Sequence, residues 1–271
     1  MLTRLITPRR LSWLIVTLYG VELLDELIYG LQGAVLPSIK SELALTYTEV
    51  GLLFTIPGLL GIVGNPLIGL LADTRHRRAL VLGGIVATML GLMLISVAQT
   101  YIVVLVAFIV LYIASTAYVN LAQATLIDRD PARSEQTMAR WTLVGSIGVT
   151  ASPLAVTTVL YFGLGWRGLY LALAMLAAIF TALLVRQRFD AHAGAKQSAG
   201  SPRALGRSLL SALRNRELLR WMLLTELSNL MLDKLLEVTG LYFHDVVGVS
   251  LAEASGAVAV CTTSAPALTP S

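Results

Sequence analysis

The sequence predicts an all-α integral membrane protein, and three observations carry that prediction. The 271 residues are 56% hydrophobic and only 13% charged, with a mean hydropathy of +0.77. A soluble domain carries about a quarter charged residues, so this chain needs an apolar solvent. Six apolar runs up to residue 185 each approach the ~20 residues that a helix needs to cross the hydrocarbon core. The Lys and Arg residues are also sorted by side. All but Lys40, Arg167 and Lys234 of the 20 fall on segments that share one face when the spans are counted off. Basic loops mark the cytoplasmic face.

The elements follow in order. Arg4, Arg9 and Arg10 precede the first apolar run like the start of a signal peptide, but the run is too long for one. It reads as a retained first span, residues 11–36, with its N-terminus inside. Pro37 ends it, and a polar loop covers 38–48. The second span, 50–71, is interrupted by Pro57 and Pro66, a pattern membrane helices tolerate. The third span covers 79–98 and the fourth 101–127. After a polar loop at 128–140, the fifth covers 141–162 and the sixth 168–185. Residues 1–185 therefore form a six-span bundle. Residues 186–217, rich in Arg, Ala, Gly and Ser, read as a basic cytoplasmic interdomain loop. An amphipathic stretch at 205–219 suits an anionic lipid surface. Residues 218–271 open a second bundle, with a seventh span at 218–243 and an eighth that starts near Leu251 and gives out at Cys261.

Composition excludes several classes. With Cys261 as the one cysteine, no intrachain disulfide or cysteine metal cluster can form. His76, His192 and His244 have no zinc-type spacing. There is no paired-histidine metal motif, nucleophile elbow or phosphate-binding glycine loop, so the reading is a non-enzyme without metal or cofactor. The net charge of +4 comes from topogenic loops, and nucleic acid is not a partner.

Ionisable residues inside spans are costly and mark function by default. Glu22, Asp25 and Glu26 sit in the middle of the first span. At ~100° per residue they share a helix face with Tyr29 and Gly33. Three carboxylates there cannot all ionise cheaply, and a carboxyl that gains and loses a proton is what proton coupling needs. The rival reading is a set of acids that only fix helix packing. In the seventh span Glu226, Asn229, Asp233, Glu237 and His244 share a face, with Lys234 beside them. Lys234 is expected to pair with Asp233, Glu237 or a first-span carboxylate. Asn120 and Gln123 in the fourth span are candidates for substrate contact or for helix–helix hydrogen bonding.

The densest motif is Gly69-Leu70-Leu71-Ala72-Asp73-Thr74-Arg75-His76-Arg77-Arg78 between spans two and three. It resembles the Gly-x-Leu-x-Asp-Arg-x-Gly-Arg-Arg loop of the major facilitator superfamily, with Thr74 and His76 departing from the pattern. Gly165-Trp166-Arg167, the 127–133 loop and Gly148 to Pro153 resemble further elements of that family. A weak internal repeat pairs Asp25 with Asp233 at an offset of 208 and Gly51 with Gly256 at 205. The resemblance implies the N-terminal six-helix bundle of the family plus a seventh helix and an incomplete eighth. It implies alternating-access transport of a small solute, proton-coupled and of drug-efflux type. The partners are the substrate, protons and the bilayer, with the number of copies left open. Glu22, Asp25, Glu26, Asp233, Lys234 and Glu237 would carry coupling, and Tyr29, Asn120, Gln123 and Asn229 would line the cavity. Gly69, Asp73, Arg77 and Arg78, with Asp128, would have a conformational role. A whole member needs about five more spans, so the expectation is an incomplete copy. The competing expectation is a non-transporting structural or assembly protein, which has no evident need for the 69–78 motif.

Overall fold

The computed structural model describes residues 13–72, 77–161, 163, 165–187, 214–217, 219–221, 223, 224, 227, 238–250, 253, 254, 256 and 257. Six long helices make up the first part: α1 (Trp13–Glu42), α2 (Tyr47–Ala72), α3 (Arg77–Ser96), α4 (Tyr101–Arg129), α5 (Ser134–Tyr161) and α6 (Trp166–Val185). Helices of this length rise ~30 to ~45 Å, enough to cross a bilayer core.

The packing shows which faces are buried in the bundle and which are exposed. On α1 a helical stripe of Leu14, Leu18, Val21, Leu24, Ile28, Leu31 and Val35 is buried in the bundle. On α6 the opposite pattern appears: Leu171, Met175 and Ile179, four residues apart, are exposed. Leu143, Ile147 and Leu154 do the same on α5. Exposed apolar stripes of this extent require an apolar covering, whether lipid or further helices. The helices α3, α4 and α6, and the stretch Pro131–Val159 that holds α5, are long and apolar enough to cross a membrane. On α1 the three carboxylates dilute that signal.

Helix α1 packs on α5 and α6 and touches α4, α3 packs on α4 and α6, and α2 packs on α4. Exchanging α1–α3 for α4–α6 reproduces this pattern. The α1–α5 contact maps onto α4–α2, and α3–α4 onto α6–α1. Since α1 and α4 start at opposite ends of the bundle, the two three-helix units are inverted relative to each other, a common build for transporter bundles. The end of the bundle that carries Arg77, Asp128 and Val185 is the basic face; the other is the far face.

Three boundaries differ from the sequence reading. Helix α1 runs through Pro37 to Glu42. The carbonyl that the Pro37 ring displaces is that of Gly33, which has no side chain to crowd it. Helix α2 is continuous through Pro57 and Pro66. The polar 128–140 segment is mostly helical. A 3₁₀ turn at Pro131–Arg133 runs straight into α5, which starts at Ser134. Polar composition there reflects a helix end standing out of the apolar slab.

An internal repeat is visible at the far face. After α1, Ala44 has φ 50 and Thr46 and Glu49 form a reciprocal capping box. After a π-helical turn at Phe243–Val247, Gly248 has φ 79 and Ser250 and Glu253 form the same box. The offset is 204 for all three positions. Upstream it changes by one. The Leu45 amide bonds back to the Lys40 carbonyl, whereas the Val249 amide reaches Phe243, one residue farther. The second copy thus holds one extra residue, absorbed as the π turn. The Asp25–Asp233 equivalence, at offset 208, lies outside the described residues.

Candidate functional site

The α1 carboxylates do not act as one face. Glu22 and Glu26 point to α5, and Asp25 points to α4. Two glycines make the α5 side possible. A Cβ on Gly145 would lie 3.0 Å from Glu22 Oε1, and one on Gly148 would lie 2.7 Å from Glu26 Cβ. A larger residue at 148 would meet Glu26 Cβ and the Leu23 carbonyl and push the helices apart, whereas one at 145 would displace the Glu22 carboxyl. One turn on, Ser152 Oγ donates to the Leu27 carbonyl at 2.8 Å. Small residues spaced three and four apart are the usual means of close approach between membrane helices.

A cavity of ≈ 410 Å³ opens beside this seam, lined by Glu22, Glu26, Trp141, Thr142, Ser146 and Thr150, with Gly145 and Val149. Glu22 is only 4% exposed, and its Oε2 has no hydrogen-bond partner among the described residues. A buried carboxylate oxygen without a donor is costly, and a proton or a cationic ligand can fill that role. Trp141 is buried, its ring 6.3 Å from that of Tyr19. Among the described lining residues none is basic.

Asp25 has a separate setting against α4. The Tyr118 hydroxyl on α4 donates to Asp25 Oδ1 at 2.5 Å, and the Tyr118 ring is fully buried. The Ser115 side chain also hydrogen-bonds Asp25, so two hydroxyl groups of α4 hold this carboxyl.

Charged groups also tie the ends. On the basic face Arg77 Nη1 meets Asp128 Oδ2 at 2.6 Å, joining the start of α3 to the end of α4. Arg78 Nη2 donates to the Val185 carbonyl at 2.9 Å, covering an open carbonyl at the end of α6. On the far face Trp166 Nε1 donates to Glu42 Oε2 at 2.5 Å, and Arg167 pairs with the same carboxylate. Arg167 Nη2 also donates to the Ala98 carbonyl at 2.6 Å. The α5–α6 turn therefore binds the ends of α1 and α3 together. Nearby, Lys40 Nζ and the Tyr47 hydroxyl both reach Asp245 Oδ2 at 2.9 Å. His244 Nδ1 is 2.7 Å from the other oxygen.

Of the remaining residues singled out from sequence, Tyr29 is half-buried on α1, Gln123 is half-buried and Asn120 is exposed on α4. None of these three lines the cavity. Gly69 falls within α2. Asp73, Glu226, Asn229, Asp233, Lys234 and Glu237 lie outside the described residues, as does the expected pairing of Lys234. Sequence reasoning missed Tyr118, Trp141, Glu42 and Asp245. A tyrosine in mid-span needs an acceptor, and that was a usable signal for Tyr118. Glu42 and Asp245 sat in loops, where an acid carries no signal of its own.

Comparison with known proteins agrees with this architecture. A curated relative, the uncharacterised MFS-type transporter YfnC of Bacillus subtilis (strain 168), is 23% identical over 200 residues, which cover 70% of this chain and 48% of its own length. The chain thus spans about half the length of the curated relative that it matches. The crystal structure of a variant of the nucleoside transporter NupG superposes with a TM-score of 0.73 at 16% identity, over 93% of this chain and 64% of that one. That likeness shows a shared fold. The family described as Major Facilitator Superfamily matches residues 18–270. The protein is a multi-pass membrane protein and belongs to the major facilitator superfamily.

Proposed function

We propose that the chain is a secondary transporter that exchanges protons for a small organic cation by alternating access. The observation that carries this reading is the division of the α1 carboxylates into two settings. Asp25, held by Tyr118 away from the cavity, is the proton site. Glu22 and Glu26, on the cavity wall beside Trp141, take the cationic solute. An indole beside two carboxyl groups on the cavity wall favours a cation over an anion. Competition through the shared helix couples the two, because a charge at one site raises the cost of a charge at the other. The basic face lies in the cytoplasm and the N-terminus is inside, in the cell's inner membrane, with export driven by proton entry. The 186–217 segment links this bundle to a second.

The test is transport by the 271-residue chain in proteoliposomes under an imposed pH gradient, with a fluorescent amphipathic amine as solute. Wild type should concentrate the amine against its gradient. Asp25→Asn should leave only downhill exchange, and Glu22→Gln with Glu26→Gln should weaken amine binding. Uphill movement by Asp25→Asn equal to wild type would remove the proton assignment. An absence of amine movement by wild type would remove the transport reading of this chain.

A further inference from the structure

The far-face cluster around Asp245 differs from every other ion pair described above, because it joins the two repeats. Lys40 ends α1 and Tyr47 begins α2, both in the first repeat, whereas Asp245 lies in the π turn of the second. The offset of 203 to 204 places Lys40 and Asp245 within two residues of equivalent positions. Parallel halves of a transporter are related by an axis along the membrane normal. Atoms at near-equivalent positions of two such halves can touch only close to that axis, since the gap between them is twice their distance from it. A 2.9 Å contact therefore puts both groups at the centre of the far face. A solute leaving along the axis meets this pair.

The one extra residue of the second copy has a matching consequence. The first copy closes its helix in an ordinary α turn, and the second widens to π at Phe243–Val247. A widened turn rotates the side chains within it relative to the helix below. Asp245 sits in the middle of that turn and turns inward onto Lys40 and Tyr47. Lys40 also lies 4.3 Å above the Tyr47 ring, so its ammonium is held from two sides.

We propose that Lys40, Tyr47 and Asp245 form the far-face gate of the pathway, and that the inserted residue of the π turn is what carries Asp245 into it. This inference rests on the transport reading, because a gate presupposes a pathway. Its test is read without transport. A cysteine placed at Ser146, on the cavity wall, reports access from the far face through a membrane-impermeant maleimide, in a Cys261→Ser background.

Labelling from the far face should be slow in the parent. Lys40→Met and Asp245→Asn should each speed it up to about fivefold, as expected for losing one partner of a partly exposed charge pair. The double swap Lys40→Asp with Asp245→Lys should slow it again. Deletion of Val246, which is exposed, should act like Asp245→Asn. Disulfide formation between Lys40→Cys and Asp245→Cys should block labelling in any variant that folds. Unchanged labelling in both single variants, or no rescue by the swap, would overturn the gate. Unchanged labelling on deletion of Val246 alone would overturn the part given to the π turn. Failed amine transport with intact labelling changes strikes the transport reading and leaves the gate geometry standing.

Discussion

The two faces of the bundle use the same chemistry for different ends. On the basic face Arg77–Asp128 and Arg78–Val185 join α3 to α4 and α6, all inside one repeat. On the far face Lys40–Asp245 crosses from one repeat to the other. A pair inside a rigid body stiffens it, whereas a pair between bodies biases their relative position. The far face also has an internal brace, the Glu42–Trp166–Arg167 cluster, only two residues from Lys40. Brace and proposed gate thus adjoin at the end of α1, and substitutions there can separate the two roles.

The largest effect is expected for Asp245→Lys, which sets two ammonium groups against each other. Like charges in contact cost several kcal/mol, so far-face labelling of the Ser146→Cys reporter should rise by at least about tenfold. The melting temperature of the bundle should move little. A large fall in stability without a rise in labelling would make this pair a brace like the others. Next comes Glu42→Ala. It strands the indole N–H of Trp166, which is 3% exposed, and frees Arg167. An unsatisfied buried donor costs about 1–3 kcal/mol, and the Arg167 share is discounted because that side is half-exposed to water. The Glu42 carboxyl itself sits below its usual value. Burial pushes it up, but the hydrogen bonds from Arg167 and Trp166 outweigh that. Thermal unfolding in detergent should show the loss, with labelling unchanged. Increased labelling in Glu42→Ala would merge brace and gate.

Much of this was legible in the sequence, and for identifiable reasons. Apolar runs located all six helices because the bilayer demands length and apolarity together. The 69–78 motif pointed to Arg77, Arg78 and Asp128, which the fold places at helix ends. The face shared by Glu22, Asp25 and Glu26 was visible, but its division was not. A separation of ~60° from residue 22 and ~100° from residue 26 is enough to give residue 25 a different neighbour. Only the approach of Gly145 and Gly148 decides which helix takes which acid. The repeat was visible at offsets of 205 and 208, beside the 204 of the capping boxes, since two apolar segments align almost equally well in neighbouring registers. Capping boxes fix the register because their hydrogen bonds allow no slip. Pro37 misled because a proline reads as a break in water, while a buried membrane helix tolerates it.

A smaller effect is expected for Arg77→Met. The Arg77–Asp128 pair is short but partly exposed, with 28% and 46% of its side chains open. Such pairs are worth about 0–1 kcal/mol, and salt screens them further. Stability should fall by no more than that, and far-face labelling should not change. Raised labelling from Arg77→Met would show that the basic-face pair also biases the halves, and the contrast between the faces would then fail.

The smallest effect concerns pH, and it separates gate from coupling site. Asp245 is pulled down to about 2, first by the His244 ring nitrogen and then, against the opposing effect of partial burial, by Lys40 and Tyr47. Asp245 in turn raises Lys40 above its ordinary value. A carboxyl lowered on folding adds stability that is fully present above its ordinary 3.8 and fades as pH falls through about 2. A lysine raised on folding adds stability present below its ordinary 10.5 and lost only as pH climbs through the raised value. Between about pH 5 and about pH 8 both partners stay charged. In a His244→Gln background, which removes the imidazole 2.7 Å from Asp245, the ratio of labelling rates between Asp245→Asn and its parent should therefore agree within about twofold at those two pH values. Amine transport, which the proposed function assigns to proton exchange at Asp25, should change over the same range. A ratio that collapses toward one near pH 5 would mean that Asp245 takes up a proton there, and proton sensing would then belong to the far-face gate instead of the bundle interior.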